Sequence, residues 1–446
     1  MITQEQALAA ADRWLNGGAP AERRREVQHR EFGLGWVVWA APAPLERDPV
    51  TGERRPPADI GDACGVVDRE TGELSVWSSV PVDEVARAYE AQHAERARRD
   101  GPPATGPGNT VVATYVDPSN GQEASLFRLS APGTPPAEYQ VAAELRRIGV
   151  PAGNVVAVHT DLRPASLPGG YTAVLVERAF PNARFSCSFP YGIFPDERAE
   201  GVAGLADHAE RTARLAGQPV PPRPRRVPVP RPGEVAAAPA VRDVALGRRV
   251  AEAFGEVVRY DADDVAESAL PESAQSTLVW AGLPAEVPLF FVADRPEQPP
   301  AGGLFADLRT HLSAAAAAAE APGRAAPELP EPPVLEVLAG WSRLGSDGLC
   351  VVAVQCTGHD GRSGSVWAVH PRTGSGRYVN ASLSAFLRSL DELAAARAAL
   401  PGLDPYAAGA VVAALQGKLA AIDPDAFHKE SAWWNVVVEQ MWHGLF

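Results

Sequence analysis

Two proline-rich stretches constrain this chain more than any of its periodic segments. "RARRDGPPATGPGNT" spans 96–110 and "GQPVPPRPRRVPVPRPGEVAAAPA" spans 217–240. Proline fixes φ, offers no N–H and is excluded from helix interiors and central strands, so neither proline run is expected to continue a regular element. They cut the 446 residues into three periodic units at 1–95, 110–216 and 245–446, joined by linkers at 96–109 and 217–244. A chain of this length exceeds one ordinary core. The second linker, rich in Pro and Arg, is expected to run as an extended spacer.

Each unit mixes helix and strand patterns. In the first, Thr3 is a candidate N-cap with Gln6 as its capping-box partner. Ala7, Leu8, Ala11, Trp14 and Leu15 then recur at helical spacing. "REVQHREFGLGWVVWAA" reads as one or two strands. "CGVVDRETGELSVWSS" reads as two more around a turn at Glu70–Thr71–Gly72, after the loop "PLERDPVTGERRPPADIGDA", and "PVDEVARAYEAQ" closes the unit as a helix. The second unit reads β-β-α-β-α-β, with a hairpin across "PSNG" and a helix whose Glu138, Val141, Ala142 and Leu145 share one face. The third opens with a helix over 245–255. "STLVWAGLP", "PLFFVAD", "VLAGWSRLG", "LCVVAVQC", "SVWAVHP" and "GRYVNA" follow as strands, and "SLSAFLRSLDEL", "AAGAVVAALQGKLAAI" and "SAWWNVVVEQMWHGLF" end the chain. The fold class is therefore α+β with an α/β part, in several domains.

Charge and cysteine usage exclude some functions. A net charge of −14 opposes generic nucleic-acid binding, which needs a positive field, and suits a basic protein partner. The four cysteines, Cys64, Cys187, Cys350 and Cys356, are scattered and form no disulfide framework. Neither a signal-peptide pattern nor a membrane-length apolar window is read in the sequence, so a cytoplasmic protein is expected. No phosphate loop, G-x-S-x-G elbow, H-E-x-x-H or EF-hand pattern occurs. His359, Asp360, His370 and His443 form no recognisable cluster.

"RPASLPGGYTAVLVERAFPNARFSCSFPYG", from Arg163 to Gly192, carries the most specific signal. With "AELRRIGVP" before it, the second unit resembles the toxin-associated branch of the zinc deaminases, whose loop carries a Pro-Gly-Gly-Tyr element. The resemblance implies an α/β/α deaminase-like fold. It places Glu138 at the proton-shuttling glutamate and Pro136, Ala165 and Thr172 at the three metal-ligand positions. Such enzymes bind zinc through one His or Cys and two Cys, and Pro, Ala and Thr supply none of these donors. Pro164, Pro168, Gly169, Gly170 and Tyr171 then persist as a vestigial loop. No cofactor is expected and Glu138 is vestigial. His159, Asp161 and Cys187 are the only nearby substitutes, and a strand His or a turn Asp is more often structural.

The flanking units resemble immunity domains. "ALAAADRWLN", "REFGLGWVVWA", "VDRETGELSVW" and "PVDEVARAYE" resemble the YrhB-like, immunity protein 35 group. "YVNASLSAFLRSLDEL" (378–393) and "SAWWNVVVEQMWHGLF" (431–446) resemble the fourth subgroup of the SUKH immunity superfamily, with 313–333 as an Ala-rich insertion. Asn380 sits at a strand end, and Ser382 caps a helix whose Leu383, Phe386, Leu387 and Leu390 face inward. The candidate partner-binding residues are Asn380, Trp433, Trp434 and Trp442. The tryptophans, with Val437 and Met441, also fit a core helix, and only exposure would make them binding anchors. The function implied is neutralisation of a bacterial toxin or effector by stoichiometric binding, a basic nuclease or a deaminase being the partner types that fit. The alternatives are a deaminase with unusual metal ligands and a nucleotide-sensing scaffold.

Overall fold

A computed structural model describes residues 2–17, 20, 24–42, 63–78, 80–319, 328–357 and 362–446. Most of the loop expected over 44–63, part of the Ala-rich insertion, and His359 and Asp360 lie outside the described residues. Two compact units are present, Met1–Gly101 and Pro102–Phe446.

In the first unit, α1 (Gln4–Asn16) and α2 (Val82–Asp100) enclose a four-stranded antiparallel meander of β1 (Val27–Phe32), β2 (Gly35–Ala40), β3 (Cys64–Asp68) and β4 (Leu74–Trp77). Thr3 and Gln6 form the expected capping box. Strand alternation divides the core. Trp36, Val38 and Val67 pack on Ala7 and Ala11 of α1, while Val37 and Val66 pack on Val85 and Tyr89 of α2. The expected turn follows β3, where Asp68 accepts from the backbone N–H of Glu70 and Thr71 at 2.8 Å and from the Tyr89 hydroxyl at 2.7 Å.

The second unit begins with a sheet in the order β6-β5-β7-β8. Its strands are β5 (Thr110–Val116), β6 (Glu123–Leu129), β7 (Val155–Leu162) and β8 (Arg184–Phe189), with β8 parallel to β7. Helices α3 (Ala137–Arg147) and α4 (Thr172–Ala179) complete the expected β-β-α-β-α-β order. Val111, Ala113, Val158, Val141 and Leu145 form their shared core. The long helix α5 (Pro195–Leu215), which packs against β7 and β8, has no periodic signal in the sequence. Its buried stripe includes Gly201, Ala206 and Ala213, residues too small to mark a hydrophobic period.

The remainder is built on a six-stranded antiparallel sheet, β11 (Glu286–Val287), β12 (Phe291–Ala293), β13 (Trp341–Ser346), β14 (Val351–Gln355), β15 (Val366–Val369) and β16 (Gly376–Asn380), in sequence order. Before it come α6 (Asp243–Phe254), α7 (Ala262–Glu267) and α8 (Glu272–Trp280), with the small pair β9 (Val257–Val258) and β10 (Leu283–Pro284). Within and after the sheet come α9 (Leu308–Ala319), α10 (Pro332–Leu338), α11 (Leu383–Ala399), α12 (Pro405–Ile422) and α13 (Trp433–Trp442). Alternate residues of β14 serve two cores: Val352 and Val354 join the core of α6, α8, α11, α12 and α13, and Val351 and Ala353 join that of α9 and α10. Helix α12 has the length and apolarity to cross a membrane. Here it is a core helix, with Ala408, Val412, Leu415 and Leu419 buried.

Three expectations are corrected. "STLVWAGLP" begins as the end of α8, and only its final pair, Leu283–Pro284, is a strand, β10. Ala274, Thr277 and Leu278 bury at helical spacing after Pro271, and this packing overrides the β-branched and aromatic composition. The first residues of "VLAGWSRLG" close α10 before β13 begins. The proline-rich stretches are not free spacers within the second unit. Thr105 N–H donates to Pro405 O, Gly106 N–H to Trp442 O and Gly108 N–H to His443 O. Gly409 permits this approach on α12, since a Cβ there would lie 2.6 Å from the Pro103 backbone. In 217–244, Arg225 exchanges two backbone hydrogen bonds with Ala104, and Gln416 Nε2 donates to the carbonyls of Val227 and Pro228. Proline-rich segments leave their carbonyls free, and a buried glutamine side chain uses them here.

Candidate functional site

The loop 164–172 and the start of α3 do come together. Pro136 is the N-cap of α3, which places Glu138 in its first turn. Glu138 is 3% exposed. Asn109 Nδ2 donates to Glu138 Oε1 at 3.0 Å, and Asn109 Oδ1 accepts from Leu162 N–H at 2.9 Å. Burial pushes the Glu138 carboxyl up to about 7, against the opposing effect of hydrogen bonds that include Asn109. Ala165 and Thr172 face one another, the Ala165 N–H donating to Thr172 Oγ1 at 3.1 Å. Gly169 and Gly170 turn the loop with φ of 101° and 124°, and Tyr171 follows at 47° as the N-cap of α4.

The C-terminal segment closes this pocket. A cavity of about 30 Å³ remains, lined by Asn109, Pro136, Glu138, Ala165, Thr172 and Tyr191 and by Gln440, Leu445 and Phe446. That is room for about two waters, far below a nucleobase. Gln440 Nε2 donates to Pro168 O at 2.7 Å. Ser130 Oγ donates to Gly444 O at 2.9 Å, and Tyr171 Oη to Asp347 Oδ2 at 2.5 Å. Arg198 of α5, 1% exposed, pairs with Glu439 at 2.9 Å.

Zinc does not fit these residues. Pro136, Ala165 and Thr172 bring no thiolate or imidazole to the three positions, and no group of three His, Cys, Asp or Glu able to hold a metal occurs among the described residues. The substitutes are scattered: His159 is exposed and bonds Ser186 and Ser188, Asp161 accepts from Thr110 N–H, and Cys187 is an exposed free thiol.

The candidate partner-binding residues do not meet the condition of exposure. Trp433, Trp434, Trp442 and Asn380 are all at most 1% exposed. Their polar atoms are engaged: Trp433 Nε1 donates to Asp347, Trp434 Nε1 to Asn380 Oδ1 and Trp442 Nε1 to Gln416 Oε1. The exposed tryptophan is Trp280 instead, which a strand over "STLVW" does not single out. On α8 it is 59% exposed, in an open groove with Val244, Arg242 and Arg248. Spacing from the buried Leu278 is the available signal, since a residue two further on points to the opposite side of a helix.

Fold and pocket thus define a multidomain α+β protein whose larger unit begins with a β-β-α-β-α-β frame around a small pocket at Glu138. Family models match all three segments in the expected order. Residues 5–97 match the immunity protein 35-like domain, 106–209 the Xanthomonas-like deaminase, and 245–440 the SUKH-4 immunity protein. No curated protein and no solved structure matches the chain. The chain therefore combines two immunity-type domains with a deaminase-like one.

Proposed function

We propose that this chain is an immunity protein that neutralises a bacterial toxin in the cytoplasm by stoichiometric binding, and that its deaminase-like segment is catalytically inert. The observation that carries the reading is the pairing of an immunity-type segment with the closed pocket. Gln440, Leu445 and Phe446, at and beyond the end of the SUKH-4 match, fill the space around Glu138. A deaminase needs that space for the extruded base and a metal-activated water. Neutralisation by binding is supported by the two immunity-family matches. The acids Asp261, Asp263, Asp264 and Glu267 are exposed on and beside α7, which packs on α8, and they suit a partner with a basic face.

Two measurements test this reading. Purified full-length protein, supplied with zinc, is incubated with cytidine, adenosine and single-stranded DNA. No deaminated product is expected, and turnover abolished by Glu138→Gln would overturn the inert assignment. Affinity capture from the native host, followed by co-expression of the captured toxin, tests neutralisation. Restored growth at equimolar expression is expected, and a toxin bound but still lethal would remove the immunity role.

A further inference from the structure

Outside the closed pocket lies a larger groove of about 640 Å³, between the α3–α4 face of the deaminase-like segment and β11–β12 of the SUKH-like sheet. Its size is in the range of small-molecule sites, which favour junctions between domains and combine apolar walls with a few convergent polar groups. Leu289, Phe290, Val174 and Leu175 supply apolar walls. Leu289 holds a left-handed φ of 78°. Such strain in a non-glycine residue clusters at ligand clamps.

Arg397 is the anomaly in this groove. Its Nε is buried with no hydrogen-bond partner, its Nη1 donates to Pro288 O at 3.2 Å, and its guanidinium lies 5.2 Å from the centroid of the Phe290 ring. It makes no salt bridge among the described residues, and burial lowers its pKa with no acid opposing the shift. Arg397 is half-buried, and its buried, unpartnered Nε calls for an explanation. The acids of the groove do not supply one. Asp347 already accepts from Tyr171, Trp433, Leu349 and Cys350, and Glu286 is exposed on the short edge strand. Arg178, exposed on α4, lines the same groove and likewise has no salt bridge among the described residues.

We propose that this groove binds a small amphipathic anion, with an apolar or aromatic body against Leu289, Phe290, Val174 and Leu175 and a carboxylate or phosphate held by Arg397, with Arg178 as the second cation. The site is independent of the immunity reading and needs no catalysis. The anion completes the hydrogen bonding of a guanidinium that the protein alone leaves unfinished.

Calorimetric titration of the full chain with decanoate, phenyl phosphate and decanol tests the proposal. At least one anion is expected to bind about tenfold or more tightly than decanol, a difference of about 1.4 kcal/mol. Binding of decanoate alone assigns a carboxylate, and binding of phenyl phosphate alone a phosphate. Arg397→Met should lose anion binding by about tenfold while its ligand-free thermal midpoint holds or rises, because an apolar chain replaces an unpaired charge. Arg178→Glu, an exposed change, is the second variant and should weaken the anion about fivefold or more if Arg397→Met fails to fold. The proposal is overturned if decanol binds as well as both anions, if Arg397→Met keeps full anion affinity, or if nothing binds at about 1 mM.

Discussion

Phe446 lies so close over Gly169 that a Cβ on this glycine would sit 2.5 Å from its ring Cε1. The loop that in a deaminase would carry a metal ligand at each end is here a seat for an aromatic ring. Phe446 is 1% exposed and stacks edge-on against Phe290 at 5.5 Å, which in turn packs on Trp433 at 5.9 Å. The loop 164–172 and the SUKH-like core thus share one hydrophobic cluster, which contains Ala165, Leu167, Tyr171, Trp433 and Phe446.

Gly169→Ala should destabilise the larger unit by at least about 2 kcal/mol, since the left-handed backbone and the ring collision add. Phe446→Ala should cost about 3–5 kcal/mol as a large-to-small core change. In the double variant the collision disappears, so the loss should be smaller than the sum of the two. Chemical denaturation of the three proteins checks this. Full additivity would mean that the two residues do not touch.

The shared cluster also changes how the chain should be cut. Buried Arg198 pairs with Glu439, Arg226 bonds His443 and lies 3.7 Å from Glu439, and the segment around Arg225 is held by Ala104. Limited trypsin should therefore cleave near the boundary at Gly101 and leave 102–446 whole, although 217–244 contains five arginines. Residues 245–446 expressed alone should lack a fixed tertiary structure, because breaking a buried ion pair by removing one partner costs about 3–5 kcal/mol before the apolar loss is counted. Near-ultraviolet circular dichroism of 245–446 against 102–446 measures this. A native spectrum from the shorter piece would show that the SUKH-like segment is self-sufficient.

What could be read from the sequence was what local chemistry decides. The Thr3–Gln6 capping box, the turn at Glu70–Gly72 and the hairpin after Val116 depend on neighbours in the chain. So does the amphipathic Ser382-capped helix. The terminal tryptophans sit at core spacing, and the structure buries them. What could not be read depends on distant partners. Nothing in "LPGGY" announces that residues 440–446 will fill the pocket, and nothing in "VPPRPRRVPVP" announces that Gln416 will bond its carbonyls. A proline-rich segment looks the same whether solvated or docked, because its side chains carry no periodic signal.

Glu138 gives a pH signature. Its folded pKa of about 7 lies above the ordinary value of 4.5 because it is buried. A raised carboxyl pKa means that the native state binds the proton more tightly than the unfolded chain. Its contribution is therefore fully present below pH 4.5 and is lost as pH rises through about 7. Loss of about 3 kcal/mol is expected across that window. Tyr191, whose hydroxyl has no partner among the described residues, lines the same cavity. Glu138→Gln keeps an acceptor for Asn109 and cannot ionise. The variant should be the more stable protein at pH 8, with the difference vanishing near pH 5. Thermal midpoints across this range check it, and parallel profiles would place the titration elsewhere.

Trp280 is where a protein partner should be felt. The residue is 59% exposed on α8, beside Val244 of α6, and α7 packs on α8 with its exposed acids. An exposed tryptophan contributes little to folding, so Trp280→Ala should leave stability within about 0.5 kcal/mol. As a buried anchor in a complex it is worth about 2 kcal/mol or more, which is over tenfold in affinity. The acids around it act at longer range, so association with a basic toxin should slow as salt rises. Titration of full-length wild type and Trp280→Ala with the captured toxin separates the two effects. Phe127→Ala is the control, since Phe127 is 66% exposed on β6 of the deaminase-like segment. A tenfold loss confined to Trp280→Ala places the docking face on the SUKH-like helices. A loss confined to Phe127→Ala would move it to the deaminase-like sheet, and that segment would then have been retained for recognition.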